Sequence, residues 1–256
     1  MSRKKKTTGG ARRQLCLIDK NAPFAFSEAY KSLRTNVDYL ASTNDYHSIL
    51  VTSSGPWDGK STVTLNLAIA FANSGKRVVL LDCDMRKASI ASYLKIGRST
   101  PGITSVLAHD KTLQDTILHI KAHNIDVLPV GILPPNPAET VGSAEMVRLV
   151  QLLGSMYDYV LIDTPPVSVV TDAAIMSRYV DGVILVARAD ETTKQALNMS
   201  KKRLEDVNAN ILGVVLNDFD ARAHSYGSGY SYKYNYYRYK DYGGYDRSAA
   251  RGDDGD

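Results

Sequence analysis

The sequence predicts an α/β fold: a parallel sheet with helices on both faces, followed by a disordered, tyrosine-rich C-terminal tail. Three observations carry this. Short apolar runs without inner polar positions alternate with helix-length segments, the pattern of strands buried on both faces. Between the first such run and the helix after it lies a tight polar loop ending Gly59-Lys60-Ser61. Two later runs end in aspartate, at Asp82 and Asp163, and open parallel sheets bind ligands beyond such strand ends.

Length and composition set the frame. The 256 residues suffice for one good-sized domain with a real core. The net charge of +4 is unevenly spread, because Arg3, Lys4, Lys5, Lys6, Arg12 and Arg13 crowd the start. Such an arm suits anionic lipid headgroups, nucleic acid or an acidic partner, or simply stands solvated. No apolar run approaches the roughly 20 residues that cross a bilayer, and no apolar stretch follows the N-terminal charges. The chain is therefore expected in the cytoplasm. Cys16 and Cys83 are the two cysteines, and a disulfide is not expected there.

In order along the chain, residues 1–22 read as a disordered basic arm. Residues 26–40 read as an amphipathic helix, with Ala29, Leu33, Val37 and Leu40 on one face. Glu28, Lys31 and Arg34 lie on another face. Ser48–Thr52 is a buried strand, and Val63–Phe71 starts a helix that should end near Gly75. Arg77–Leu81 is a second strand, leading into Asp82-Cys83-Asp84-Met85-Arg86. Pro101-Gly102 opens a helix, Ile125–Leu128 is a short strand, and Ser143–Ser155 is a further helix. Tyr157–Ile162 is the strand that ends in Asp163. Strand 182–186, helix 192–207 and strand 211–216 complete the alternation, and the domain is expected to span 23–220. Asn217, at the end of the last strand, reads as a turn residue or a nucleotide-base contact.

The loop Ser54-Gly55-Pro56-Trp57-Asp58-Gly59-Lys60-Ser61-Thr62 sits between a strand and a helix. That context makes it a phosphate-binding loop, and the fold P-loop NTPase-like. Its amides and the helix N-terminus favour an anion. Lys60 reaches terminal phosphates, the Ser61 hydroxyl suits Mg²⁺, and Gly59 lets the backbone approach closely. Ser54 stands where the usual pattern has its first glycine. Asp82 and Asp84 at one strand end, and Asp163 at another, fit a metal–phosphate site.

From residue 221 the composition changes. Tyr226, Tyr230, Tyr232, Tyr234, Tyr236, Tyr237, Tyr239, Tyr242 and Tyr245 are nine of the sixteen tyrosines. Almost no aliphatic residue accompanies them, so residues 221–256 read as disordered.

The loop, Asp82-x-Asp84-x-Arg86, Asp163-Thr164-Pro165 and the tyrosine tail together resemble the bacterial tyrosine kinases of capsule and exopolysaccharide synthesis, the CpsD/CapB-like group. The resemblance covers nearly the whole chain. It implies ATP and Mg²⁺ as cofactors. Lys60 would bind the β- and γ-phosphates, and Ser61 and Asp163 would hold the metal. Asp82 would help place it or take the proton of an attacking tyrosine, with Asp84 close by. The tail tyrosines would accept the phosphoryl group from a neighbouring subunit. Glu28, Lys31 and Arg34 align with the family's subunit-contact motif, with lysine in place of the first arginine. A ring-forming homo-oligomer, a cognate tyrosine phosphatase and a transmembrane adaptor are the implied partners; nucleic acid is not. The adaptor's cytoplasmic tail would activate the kinase and hold it at the inner face of the membrane. The rival reading is a partition or positioning ATPase of the ParA/MinD type. That group carries a lysine where Gly55 stands, and has no use for a tyrosine-rich tail.

Overall fold

The computed structural model describes residues 16–97 and 99–219. The chain enters through helix α1 (Phe24–Asn44) and strand β1 (Ser48–Ser53), and the loop then leads into α2 (Lys60–Ala72) and β2 (Val78–Asp82). Short helices α3 (Ile90–Tyr93), α4 (Ile103–Leu107) and α5 (Leu113–Thr116) follow. Next come β3 (Leu118–Ile120), β4 (Ile125–Leu128), α6 (Pro137–Val141) and α7 (Ala144–Met156). The last elements are β5 (Tyr159–Asp163), α8 (Asp172–Met176), β6 (Gly182–Arg188), α9 (Lys194–Glu205) and β7 (Ile211–Asn217).

The seven strands form one sheet in the order β3-β4-β2-β5-β1-β6-β7. Alternation along the central strands builds a core on each face. Leu50, Leu81 and Ile162 pack on the side of α7 and α8. Val51, Leu80 and Leu161 pack on the side of α1 and α2. The phosphate loop follows β1, in the middle of the sheet, with the ends of β2 and β5 alongside. That adjacency places Asp82 opposite Asp163 in register.

Four features depart from the sequence reading. First, the sheet is not purely parallel, because β3 pairs antiparallel with β4. The intervening residues 121–124 are too few for a crossover helix, and Asn124 turns the chain at φ 52°. Second, cover on both faces fails at β7, where Val214 and Leu216 are 50% and 54% exposed. β7 is the last strand of the sheet among the described residues. Third, Ala29 is exposed, and Tyr30, Val37 and Ala41 form the buried stripe of α1. A tyrosine ring removes far more apolar area from water than a methyl group does, so the helix turns to bury it. Fourth, the folded part begins before residue 23. Asn66 of α2 accepts from the amide of Ile18 at 2.8 Å and donates to the carbonyl of Cys16 at 3.0 Å.

Gly102 shows how tightly the α4 side is built. The amides of Ile103 and Thr104 bond to the carbonyls of Pro129 and Val130. A Cβ on Gly102 would lie 2.1 Å from the Pro129 oxygen and 2.5 Å from the Gly131 nitrogen. Both are backbone atoms and cannot swing aside. Gly102→Ala is expected to destabilise the fold by about 2 kcal/mol or more, as overpacking does. The midpoint of urea unfolding measures it, and an unchanged midpoint would refute the clash.

Candidate active site

The loop between β1 and α2 is held by its own side chains. Ser53 Oγ donates to the Gly55 carbonyl at 2.8 Å, and the Gly55 amide donates to Asp58 Oδ2 at 2.7 Å. The other Asp58 oxygen accepts from Thr192 Oγ at 3.0 Å. Asn217 Nδ2 donates to the Asp58 carbonyl at 2.9 Å. Gly59 sits at φ 92°, and a Cβ there would be 2.1 Å from Asn217 Nδ2. Gly59 is thus required on two counts, by its left-handed backbone and by the amide packed against it. Asn217 braces the loop. Ser54 is tied into the sheet, its amide donating to Val186 and its carbonyl accepting from Ser168 Oγ. Pro56 and Trp57 form the exposed crest of the loop.

Below the loop four charged groups converge. Lys60 Nζ is 2.7 Å from Asp84 Oδ2 and 3.6 Å from Asp163 Oδ2. It also donates to Ser61 Oγ at 3.1 Å. Burial alone would lower the lysine pKa. The Asp163 and Asp84 charges outweigh that and raise it, so Lys60 stays an ammonium. Asp82 is fully buried and, among the described residues, accepts from the amides of Asp84 (3.3 Å) and Ile90 (3.2 Å). Burial first, and the Asp163 charge second, hold its pKa well above the usual carboxylate range. Asp163 is buried too, and burial pushes its pKa up to about 6 against the pull of Lys60.

The two oxygens of Asp163 are buried and accept no hydrogen bond from any described residue. Buried carboxylate oxygens without donors are costly. A cation placed between them and the Ser61 hydroxyl removes that cost. Among the described residues no closed group of three or more His, Cys, Asp or Glu forms a metal cage. Mg²⁺ does not need one, because it keeps several waters and takes one or two carboxylates plus phosphate oxygens. The donor set therefore fits Mg²⁺ with a nucleotide.

The structure brings together Lys60, Ser61, Asp82, Asp84 and Asp163, as their motifs predict. Three supporting residues carry no local sequence signal. Ser89 donates to Ser61 Oγ at 3.1 Å from 28 positions away. Asp172, fully buried, holds Arg86 through two bonds of 3.0 Å. Lys87 Nζ stands over the Trp57 ring, 3.3 Å from its centroid. Glu28, Lys31 and Arg34 lie elsewhere, on α1. Lys31 pairs with Glu28 at 2.7 Å, and none of the three bonds to loop residues among those described. The nine tail tyrosines lie outside the described residues.

Comparisons place this geometry. The family model ParA, described as NUBPL iron-transfer P-loop NTPase, matches residues 45–230. Tyrosine-protein kinase YwqD of Bacillus subtilis is 35% identical over 84% of this chain and 91% of its own. The kinase domain of Escherichia coli tyrosine kinase ETK superposes with a TM-score of 0.75 at 31% identity. That match covers 86% of this chain and 89% of that one. The chimerical protein CapA2B2 gives 0.71 at 35% identity, over 75% and 84%. The ParA model matches the P-loop NTPase part of the chain, and YwqD and ETK, at 35% and 31% identity, are tyrosine kinases. The chain belongs to the bacterial tyrosine-protein kinases and is a protein-tyrosine kinase of P-loop NTPase fold.

Proposed function

We propose that this kinase transfers the γ-phosphoryl group of ATP, with Mg²⁺, to tyrosines 226–245 on a neighbouring copy of the chain. The transfer regulates synthesis and export of a capsular or extracellular polysaccharide. The convergence of Lys60 with Asp82, Asp84 and Asp163 beneath the phosphate loop carries the reading. Phosphoryl transfer asks for positioning and charge neutralisation more than for covalent chemistry. The loop amides and Lys60 hold the β- and γ-phosphates. Ser61 and Asp163 would hold Mg²⁺, which would supply positive charge to neutralise the phosphates. A tyrosine hydroxyl has a pKa near 10, so its proton must leave as the new bond forms. Asp82, at the end of β2 opposite Asp163, is the carboxylate assigned to take it. Asp84 keeps Lys60 aimed, through the 2.7 Å ion pair.

The partners in this reading are further copies in a ring, a transmembrane adaptor and a tyrosine phosphatase that resets the tail. Exposed Lys31 and half-buried Glu28 and Arg34, on one polar flank of α1, are offered for the subunit contact. No helix of the described residues is long and apolar enough to cross a membrane, in keeping with an adaptor as the link to the inner membrane face.

The test is a map of phosphotyrosine. The full chain is incubated with Mg-ATP, with and without the adaptor's cytoplasmic tail, and analysed by mass spectrometry. Phosphate is expected on tyrosines 226–245, with more of it when the adaptor tail is present. No phosphotyrosine in either sample, or phosphate confined to Tyr30, Tyr39, Tyr46, Tyr93, Tyr157, Tyr159 and Tyr179, would overturn the proposal.

A further inference from the structure

Trp57 is the single tryptophan of the chain, and its setting is unusual. Its backbone lies at φ 72°, a left-handed conformation that bulky residues rarely enter. Its side chain is held out at the crest of the phosphate loop, 74% exposed. One ring face is taken by Lys87 Nζ at 3.3 Å. The loop therefore presents an aromatic plane, backed by a cation, at the mouth of the nucleotide site.

A second observation says what covers it. The described part of the chain ends beside this plane. Asn217, the last residue of β7, bonds to the carbonyl of Asp58, the residue next to Trp57. Asp218 is then fixed by Arg188, through bonds of 3.1 and 3.0 Å. Phe219 is the last described residue, and Tyr226 follows seven positions later. Seven residues span at most about 25 Å, so the first tail tyrosine cannot stray far from the loop. Tethers this short give effective concentrations in the millimolar range.

We propose that Trp57 and Lys87 form a docking platform, in cis, for tyrosines of the chain's own tail. A phenol ring stacks offset on the open face of the indole, and Lys87 keeps the opposite face. The glycines, serines and charged residues between the tail tyrosines offer no competing apolar group, so tyrosine is what the plane selects. The catalytic consequence rests on the kinase reading: the tail must leave its own Trp57 before a neighbour's site receives it. The docking itself does not depend on that reading.

The test reads Trp57 directly in the full chain, by acrylamide quenching of its emission. The comparison is a variant with the nine tail tyrosines replaced by serine. Quenching of the wild-type chain is expected to be about two-fold weaker than that of the variant. The difference should persist on dilution, since a contact within one chain does not depend on concentration. A free peptide of residues 226–245, added at millimolar concentration to the serine variant, should restore the protection. Equal quenching of the two chains, or a peptide without effect, overturns the platform. Protection that fades on dilution overturns the cis arrangement and assigns the plane to a neighbour's tail. None of these outcomes requires phosphate transfer, so the inference and the kinase reading fail separately.

Discussion

Lys60→Met is expected to lower phosphotyrosine formation by about 10²–10³ or more, the scale of losing one preorganised group that meets developing charge. The lysine does two things that methionine cannot. It places a full positive charge where the β- and γ-phosphates sit, in a buried site where that charge is little screened. It also balances Asp84 at 2.7 Å and Asp163 at 3.6 Å. Removing it takes away the charge that holds the Asp82 and Asp163 pKa values down, and both rise further. The methionine chain should therefore unfold at lower temperature as well as lose activity. Lys60→Arg separates the two roles. A guanidinium keeps the charge and can pair with Asp84, but it is larger and planar and does not reproduce the point contacts of the ammonium with Asp84, Asp163 and Ser61. Arginine is expected to restore much of the lost stability and little of the activity. Quantitative phosphotyrosine detection and a thermal melt on both variants decide this. Phosphotyrosine persisting in the methionine chain would place the chemistry elsewhere.

Much of this site was legible in the sequence because each candidate side chain sits at a helix start or at or just beyond a strand end. Apolar runs of five or six residues locate the strands, and the polar residue that ends each run is carried to the same edge of the sheet. Asp82 and Asp163 are 81 positions apart, yet they meet because β2 and β5 are neighbours in register. What was not legible depends on tertiary partners. Asp58 reads as one more polar loop residue; only the fold brings Thr192 and Asn217 to it. Arg86 is recognisable from its motif, but nothing near it in sequence announces Asp172. The hairpin strand β3, of three residues, is too short to show a period. The stripe of α1 was displaced because periodicity alone does not weigh a tyrosine against an alanine.

Asp163→Asn is expected to make the nucleotide-free fold more stable while nearly abolishing transfer, and the opposite signs are the point of the experiment. Burial raises the Asp163 pKa from 3.8 to about 6. The folded state thus holds the proton more tightly than the unfolded chain does. The stabilisation from that proton is fully present below pH 3.8 and is lost as pH rises through about 6. Above pH 6 the ionised, buried carboxylate costs the nucleotide-free fold on the order of 2–3 kcal/mol. Asparagine carries no charge, has nearly the same shape, and can donate to Asp82 across the register. At roughly 2–4 °C per kcal/mol for a domain of this size, the variant should melt several degrees above wild type at pH 8. The gain should fall to about half at pH 5 and vanish only below pH 3.8, where the folded and the unfolded wild-type chain both hold the proton. Activity goes the other way, because the amide is a poor Mg²⁺ ligand. Losing the metal's charge stabilisation, worth several kcal/mol, should cut transfer by about 10²–10³. Mg²⁺ with nucleotide should raise the melting temperature of wild type and leave that of the variant nearly unmoved. For the same reason, wild-type activity should fall as pH drops through about 6. A variant that melts below wild type at pH 8, or that still gains stability from Mg²⁺ and nucleotide, would mean that Asp163 is a structural carboxylate. In the expected case, the strand end keeps a buried charge that weakens the empty fold, because the metal–nucleotide complex is what neutralises it.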